Sequence, residues 1–89
     1  MPVYIDNWGA RYGRMVMCHM RADNTEELLT MADAIGVDRK WIQAKGTRHE
    51  HFDVCLSKRS TAIRMGAIEM SPKDMARMFR DREREKGEK

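Results

Sequence analysis

Short apolar runs alternate with stretches of helical period along this chain, and that alternation limits the fold more than any other feature. Val3-Tyr4-Ile5 reads as a strand ending at Asp6, and Met15 to Met20 as a second strand with His19 near its end. Between them Asn7 to Gly13 holds two glycines, two aromatics and Arg11, the make-up of a loop. Asn24-x-x-Glu27 fits a capping box, and Leu28, Met31, Ala32 and Ile35 recur at helical spacing before the stop signal at Gly36. Trp41-Ile42-Gln43 suggests a third strand, followed by a polar loop over Ala44 to Glu50. Val54 to Met65 has a helical period, with Asp53 placed to cap it and Gly66 to close it. Ala67 to Met70 reads as a brief strand, and Ser71-Pro72-Lys73-Asp74 opens a third helix whose apolar stripe is Met75, Met78 and Phe79.

The expected fold is therefore α/β: one small single-layer sheet of about four strands, at least partly parallel, with three helices. Eighty-nine residues supply one core and bury only about 60% of the unfolded chain's surface. That excludes multi-domain enzymes, large barrels and a full dinucleotide-binding fold. Residues 1–79 form the expected domain. Residues 80–89, RDREREKGEK, carry five basic and four acidic groups and read as a charged, frayed helix end. The formal net charge is only +3, from 17 Lys+Arg against 14 Asp+Glu, so no long nucleic acid is expected as a partner. No apolar run approaches the roughly 18 residues of a membrane span, and the first residues lack a signal peptide's apolar region. Cys18 and Cys55 sit in apolar runs and read as buried thiols of a cytoplasmic protein. The many methionines read mostly as core filler.

In α/β sheets ligands gather beyond the carboxyl ends of strands, and Asp6, His19, Gln43 and the loop after it fall at such positions. Arg48-His49-Glu50-His51-Phe52-Asp53 concentrates the titratable groups. In an extended backbone His49, His51 and Asp53 share a side and could bind a divalent metal. The string is similar to the H-x-H-x-D of metallo-β-lactamase-type hydrolases. That motif continues with another His where this chain has Val54, and those enzymes are much longer, so the assignment is rejected. The alternative is metal-free acid/base chemistry, one histidine taking a proton from a nucleophilic hydroxyl while another protonates the leaving oxygen. Lys58, Arg59 and Arg11 are the candidate phosphate-holding cations, helped by Ser57, Ser60 and Thr61 early in the second helix. Trp8 and Trp41 are flat enough to stack a base, although Trp41 also suits a core. There is neither a Walker loop nor G-x-G-x-x-G.

Val3-Tyr4-Ile5-Asp6, His19-Met20, Trp41-Ile42-Gln43, His51-Phe52-Asp53-Val54, Ser57-Lys58-Arg59 and Gly66-Ala67 occur in this order along nearly the whole chain. Their order resembles a family of small uncharacterised bacterial and phage proteins, a domain of unknown function. The resemblance implies recurring polar positions at Asp6, His19, Gln43, His51, Asp53, Lys58 and Arg59, and leaves His49 outside the pattern. A phage origin would add a nucleotide immune signal, such as a cyclic nucleotide, as a ligand to bind or destroy within a bacterial host cell.

These readings converge on one expectation. The protein binds a small phosphorylated ligand, foremost a nucleotide, and cleaves a phosphodiester by metal-independent chemistry at His51 and His19, with His49 accessory. Asp6, Trp8, Arg11, Trp41, Gln43, Asp53, Lys58 and Arg59 form the ligand-binding set. No metal or other cofactor is required in that scheme. The competing classes are a sponge that binds without cleaving, a divalent-metal hydrolase and a protein-interaction module. A site on so small a domain is shallow, and a homo-oligomer is the expected way to complete it.

Overall fold

The structure, a computed structural model, describes residues 2–87. Five strands and three helices follow one another as β1 (Val3–Ile5), β2 (Ala10–Tyr12), β3 (Met15–Ala22), α1 (Thr25–Ile35), β4 (Phe52–Cys55), α2 (Leu56–Arg64), β5 (Ile68–Glu69) and α3 (Pro72–Gly87). The small α/β fold with a partly parallel sheet is thus as expected. β3 is the organising strand and pairs antiparallel with β1, β2 and β4, while β1 pairs in parallel with β5.

Strand alternation sorts the sheet into two faces. Val3 and Ile5 of β1, Cys18, Met20 and Ala22 of β3, and Phe52 and Val54 of β4 are buried in one hydrophobic cluster. Leu28, Ala32 and Ile35 of α1 and Ala62 of α2 complete it from the helix side. The opposite face carries Tyr4 and Asp6, His19 and Arg21, and Asp53. Registers place Tyr4 beside Arg21 and His19 beside Asp53. Full burial of each large apolar side chain is worth about 1.5–3 kcal/mol, so the polar face is held in place by what lies behind it.

The α1 helix begins and ends where its signals stand. Asn24 accepts the Glu27 N–H at 2.9 Å, and Gly36 ends the helix in a left-handed turn with φ of 82°. A Cβ at Gly36 would come within 3.1 Å of Lys58 Nζ, which rests against this helix terminus.

Several local expectations change. The segment around Trp41 is a 3₁₀ turn, Arg39–Trp41, capped by Asp38, and only Gln43 bridges to the sheet, opposite His51. Phe52–Cys55 is a strand, so Asp53 caps no helix, and α2 starts at Leu56. A short apolar run is ambiguous between the two periods, and here pairing with β3 decides it. The loop predicted over Asn7 to Gly13 contains β2, a three-residue hairpin partner of β3. The methionines are not all filler: Met20 and Met75 are buried, but Met15 and Met65 are about half exposed. Residues 80–87 continue α3, and Arg82 hydrogen-bonds to Asp23 and, at 3.2 Å, to the Tyr4 hydroxyl. Burial would raise the Asp23 carboxyl, but the Arg82 and Tyr4 bonds outweigh it and hold it below the ordinary range. Residues 88 and 89 of the charged end lie outside the described residues. No described helix is long and apolar enough to cross a membrane.

Both cysteines are free, and Cys55 is only half-buried, unlike Cys18. The Ser57 hydroxyl, 3.3 Å away, and then the Lys58 backbone N–H hold the Cys55 thiol below its ordinary pKa, against the effect of burial. Iodoacetamide is therefore expected to alkylate Cys55 and spare Cys18 in the native protein, with Ser57→Ala slowing the reaction. Peptide mass spectrometry reads this directly, and equal labelling of both thiols would contradict it.

Candidate functional site

The polar face gathers its chemistry on β3 and β4. His19 projects from β3 between Asp6, just past the end of β1, and Asp53, its partner on β4. Asp6 is only 1% exposed, yet every oxygen of its carboxylate is used. Oδ1 accepts the backbone N–H groups of His19 at 2.8 Å and Trp8 at 3.1 Å, and Oδ2 accepts from His19 Nδ1 at 2.8 Å. With both oxygens placed as acceptors, a neutral His19 carries its proton on Nδ1 and keeps the lone pair of Nε2.

His51 is fixed in the same tautomer by a different partner. Its Nδ1 lies 2.8 Å from the His49 carbonyl oxygen, which can only accept. Its Nε2 then faces Asp53 Oδ1 at 3.4 Å. Asp53 Oδ2 accepts from Gln43 Nε2 at 2.8 Å, whereas Oδ1 is buried with no hydrogen-bond partner. One atom each from His19, His51 and Asp53 fall within 4.8 Å of one another. Each of the three side chains has its other polar atom held by a supporting group, namely Asp6, the His49 carbonyl and Gln43. That is the usual support of metal-ligating histidines and carboxylates.

Aromatic and basic groups surround the three. Trp8 stacks on the His19 ring with centroids 4.1 Å apart and planes at 19°, and His51 meets His19 edge-on at 5.4 Å. Arg21, two residues beyond His19 on the same face of β3, opens with His19, His51 and Asp6 onto a cleft of about 290 Å³. Arg21 donates to the Arg48 carbonyl and lies 3.9 Å over the Phe79 ring, while its Nε is buried without a partner. Burial and then the neighbouring Arg48 push its guanidinium pKa down, with Glu50 opposing. On the other side of Trp8 a cleft of about 600 Å³ runs past Arg11, Trp41, Gln43 and Asp53.

The expected site residues are thus partly united. Asp6, Trp8, His19, Gln43, His51 and Asp53 form one constellation, with Arg11 and Trp41 on the adjoining cleft. His49 contributes its carbonyl, not its imidazole, to the cluster, so a trio of His49, His51 and Asp53 gives way to His19, His51 and Asp53. Lys58 lies against the end of α1. Arg59 donates from Nε to the Asp6 carbonyl at 2.8 Å and pairs with Glu69 at 3.1 Å, so it braces the chain behind Asp6. Core packing of Trp41 is also set aside, since it is 64% exposed.

Two contributors escaped the sequence reading. Arg21 could have been found by alternation from His19, since residues two apart on a strand share a face. Glu50 could not. It is buried and accepts from Thr25 Oγ1 at 2.8 Å and from the Gly46 N–H at 3.0 Å, folding the loop before His51 onto the start of α1.

No curated protein and no solved structure matched the chain. A family described as a protein of unknown function, DUF4031, matches residues 3–82, which include Asp6, His19, His51 and Asp53, and the chain belongs to that family.

Proposed function

We propose that this domain is a mononuclear divalent-metal hydrolase for a small phosphorylated substrate, with His19, His51 and Asp53 as ligands. The observation that carries the reading is the contact between His51 Nε2 and Asp53 Oδ1. With a neutral His51 two acceptors face each other at 3.4 Å, and the oxygen is buried without a hydrogen-bond partner. Unfilled, that arrangement is costly. Ligand atoms about 2.0–2.2 Å from a tetrahedral metal stand roughly 3.4 Å apart, so the spacing is that of two ligands around one cation. Two histidines and one carboxylate leave further positions free, as in catalytic sites and not closed structural ones.

A divalent cation there would supply Lewis-acid polarisation of the ester and acidify a bound water. The chain's own residues do the rest. Asp6 and the His49 carbonyl keep both imidazoles in the ligating tautomer. Arg21 lines the same cleft and supplies positive charge to an anionic group. Trp8 walls the site on the His19 side.

The experiment is metal titration of protein stripped by chelator, with zinc and manganese tested separately. One equivalent is expected to bind, and a concentration of 100 Kd should add about 2.7 kcal/mol of stability. Hydrolysis of bis(p-nitrophenyl) phosphate should vanish with chelator and return with the ion. Chelator-resistant turnover would return the site to metal-free histidine acid/base chemistry. Binding without any product would make it a sponge.

A further inference from the structure

We infer that the cleft of about 600 Å³ between Trp8 and Trp41 seats a nucleobase, so that the substrate is a nucleotide whose phosphate lies over the His19–His51–Asp53 cluster. The inference rests on the metal-hydrolase reading for the phosphate and adds the organic half of the substrate. Trp8 and Trp41 are 50% and 64% exposed. Each indole is nonetheless braced by a neighbour. His19 stacks on Trp8 at 4.1 Å, and Lys40 Nζ stands 5.2 Å over Trp41. Flat, exposed and braced side chains are suited to stacking a planar ligand, because little freedom is lost when it binds.

The remaining lining fits the edge of a base. Met15, Met17 and Val37 give an apolar floor. Gln43 donates from Nε2 to Asp53 and keeps its Oε1 as an acceptor, while Arg11 offers donors. The volume lies within the roughly 300–1,000 Å³ of small-molecule sites. Continuity with the cluster decides the class of ligand. Asp53 and Gln43 line the cleft and Trp8 lines both clefts, so a ligand seated there borders the cluster directly. A planar group with polar edges joined through a sugar to a phosphate is a nucleotide.

The test is calorimetry on the zinc-loaded full chain with adenosine monophosphate, ribose 5-phosphate and adenosine, with zinc content measured in parallel. Adenosine monophosphate should bind about tenfold or more tightly than ribose 5-phosphate. Trp41→Ala, on an exposed side chain, should erase most of that difference while zinc content and ribose 5-phosphate affinity stay unchanged. Equal affinities for the two phosphates in zinc-loaded protein would overturn the base site and leave the metal reading standing. Failure to take up zinc would overturn the metal reading, and adenosine binding to the metal-free chain, weakened by Trp41→Ala, would then uphold the base site by itself. If Trp41→Ala instead converts a dimer to a monomer with nucleotide affinity unchanged, the face belongs to a second copy and the inference falls.

Discussion

Asp53→Asn is expected to cut zinc affinity by at least about 100-fold, more than the 10–100-fold typical of losing a supporting group, and to abolish metal-dependent turnover. The same substitution should leave the metal-free protein as stable as wild type, or more so. The side-chain shape is kept, the amide oxygen can accept from Gln43, and the amide N–H₂ can donate to the His51 lone pair 3.4 Å away. A gained hydrogen bond is worth about 1 kcal/mol, or about 4–8 °C in Tm for a domain of this size. The sign separates two accounts. If His51 were a protonated partner of Asp53 in a structural ion pair, removing the carboxylate would lower the melting temperature of metal-free protein. Thermal melts of both chains, stripped and zinc-loaded, decide between them.

Much of the site was legible because a strand's period is fixed. Once Met15–Ala22 is a strand, Cys18 and Met20 must face opposite to His19 and Arg21, and the core cannot hold both sets. Asp6, His19, His51 and Asp53 all stood in the sequence as candidates, and the structure places them on one face. What the sequence could not supply was which strands are neighbours. His49 and His51 are close in the chain and share a side only if the backbone stays extended, but residues 44–49 turn, tied down by Glu50. His19, more than thirty residues away, replaces His49 because β3 and β4 pair in a register that sets it beside Asp53. Lys58 and Arg59 likewise depend on neighbours that lie far away in the chain. A basic pair at a helix start suits an anion, and here Lys58 lies against the end of α1 while Arg59 meets the Asp6 carbonyl and Glu69. The two periods also overlap in Val54, Cys55 and Leu56, which serve a strand end and a helix start equally well until β3 is present to pair with the first.

Asp6 presents the other large expected effect, and its two informative substitutions part ways. Asp6→Ala removes the acceptor of two backbone N–H groups and of His19 Nδ1–H, all in a place that water barely reaches. Each orphaned donor costs about 1–3 kcal/mol. A loss of about 3 kcal/mol or more is therefore expected, against a total stability of roughly 5–15 kcal/mol, and denaturant melts of the metal-free chain should show it. Asp6→Asn keeps the shape. Its amide oxygen can accept the two backbone N–H groups, but its N–H₂ then faces His19 Nδ1 and demands an acceptor there. The imidazole answers by moving its proton to Nε2, which removes the lone pair aimed at the metal. This variant should fold and yet bind zinc about 10–100-fold more weakly, with the Nε2–H tautomer of His19 visible in nitrogen-15 NMR spectra. A purely structural Asp6 would give a different result: both variants destabilised, the His19 tautomer unchanged, and zinc affinity unaffected in whatever fraction remains folded. Asp6 is thus a positioning residue in this account, acting on the metal only through the proton it assigns to His19.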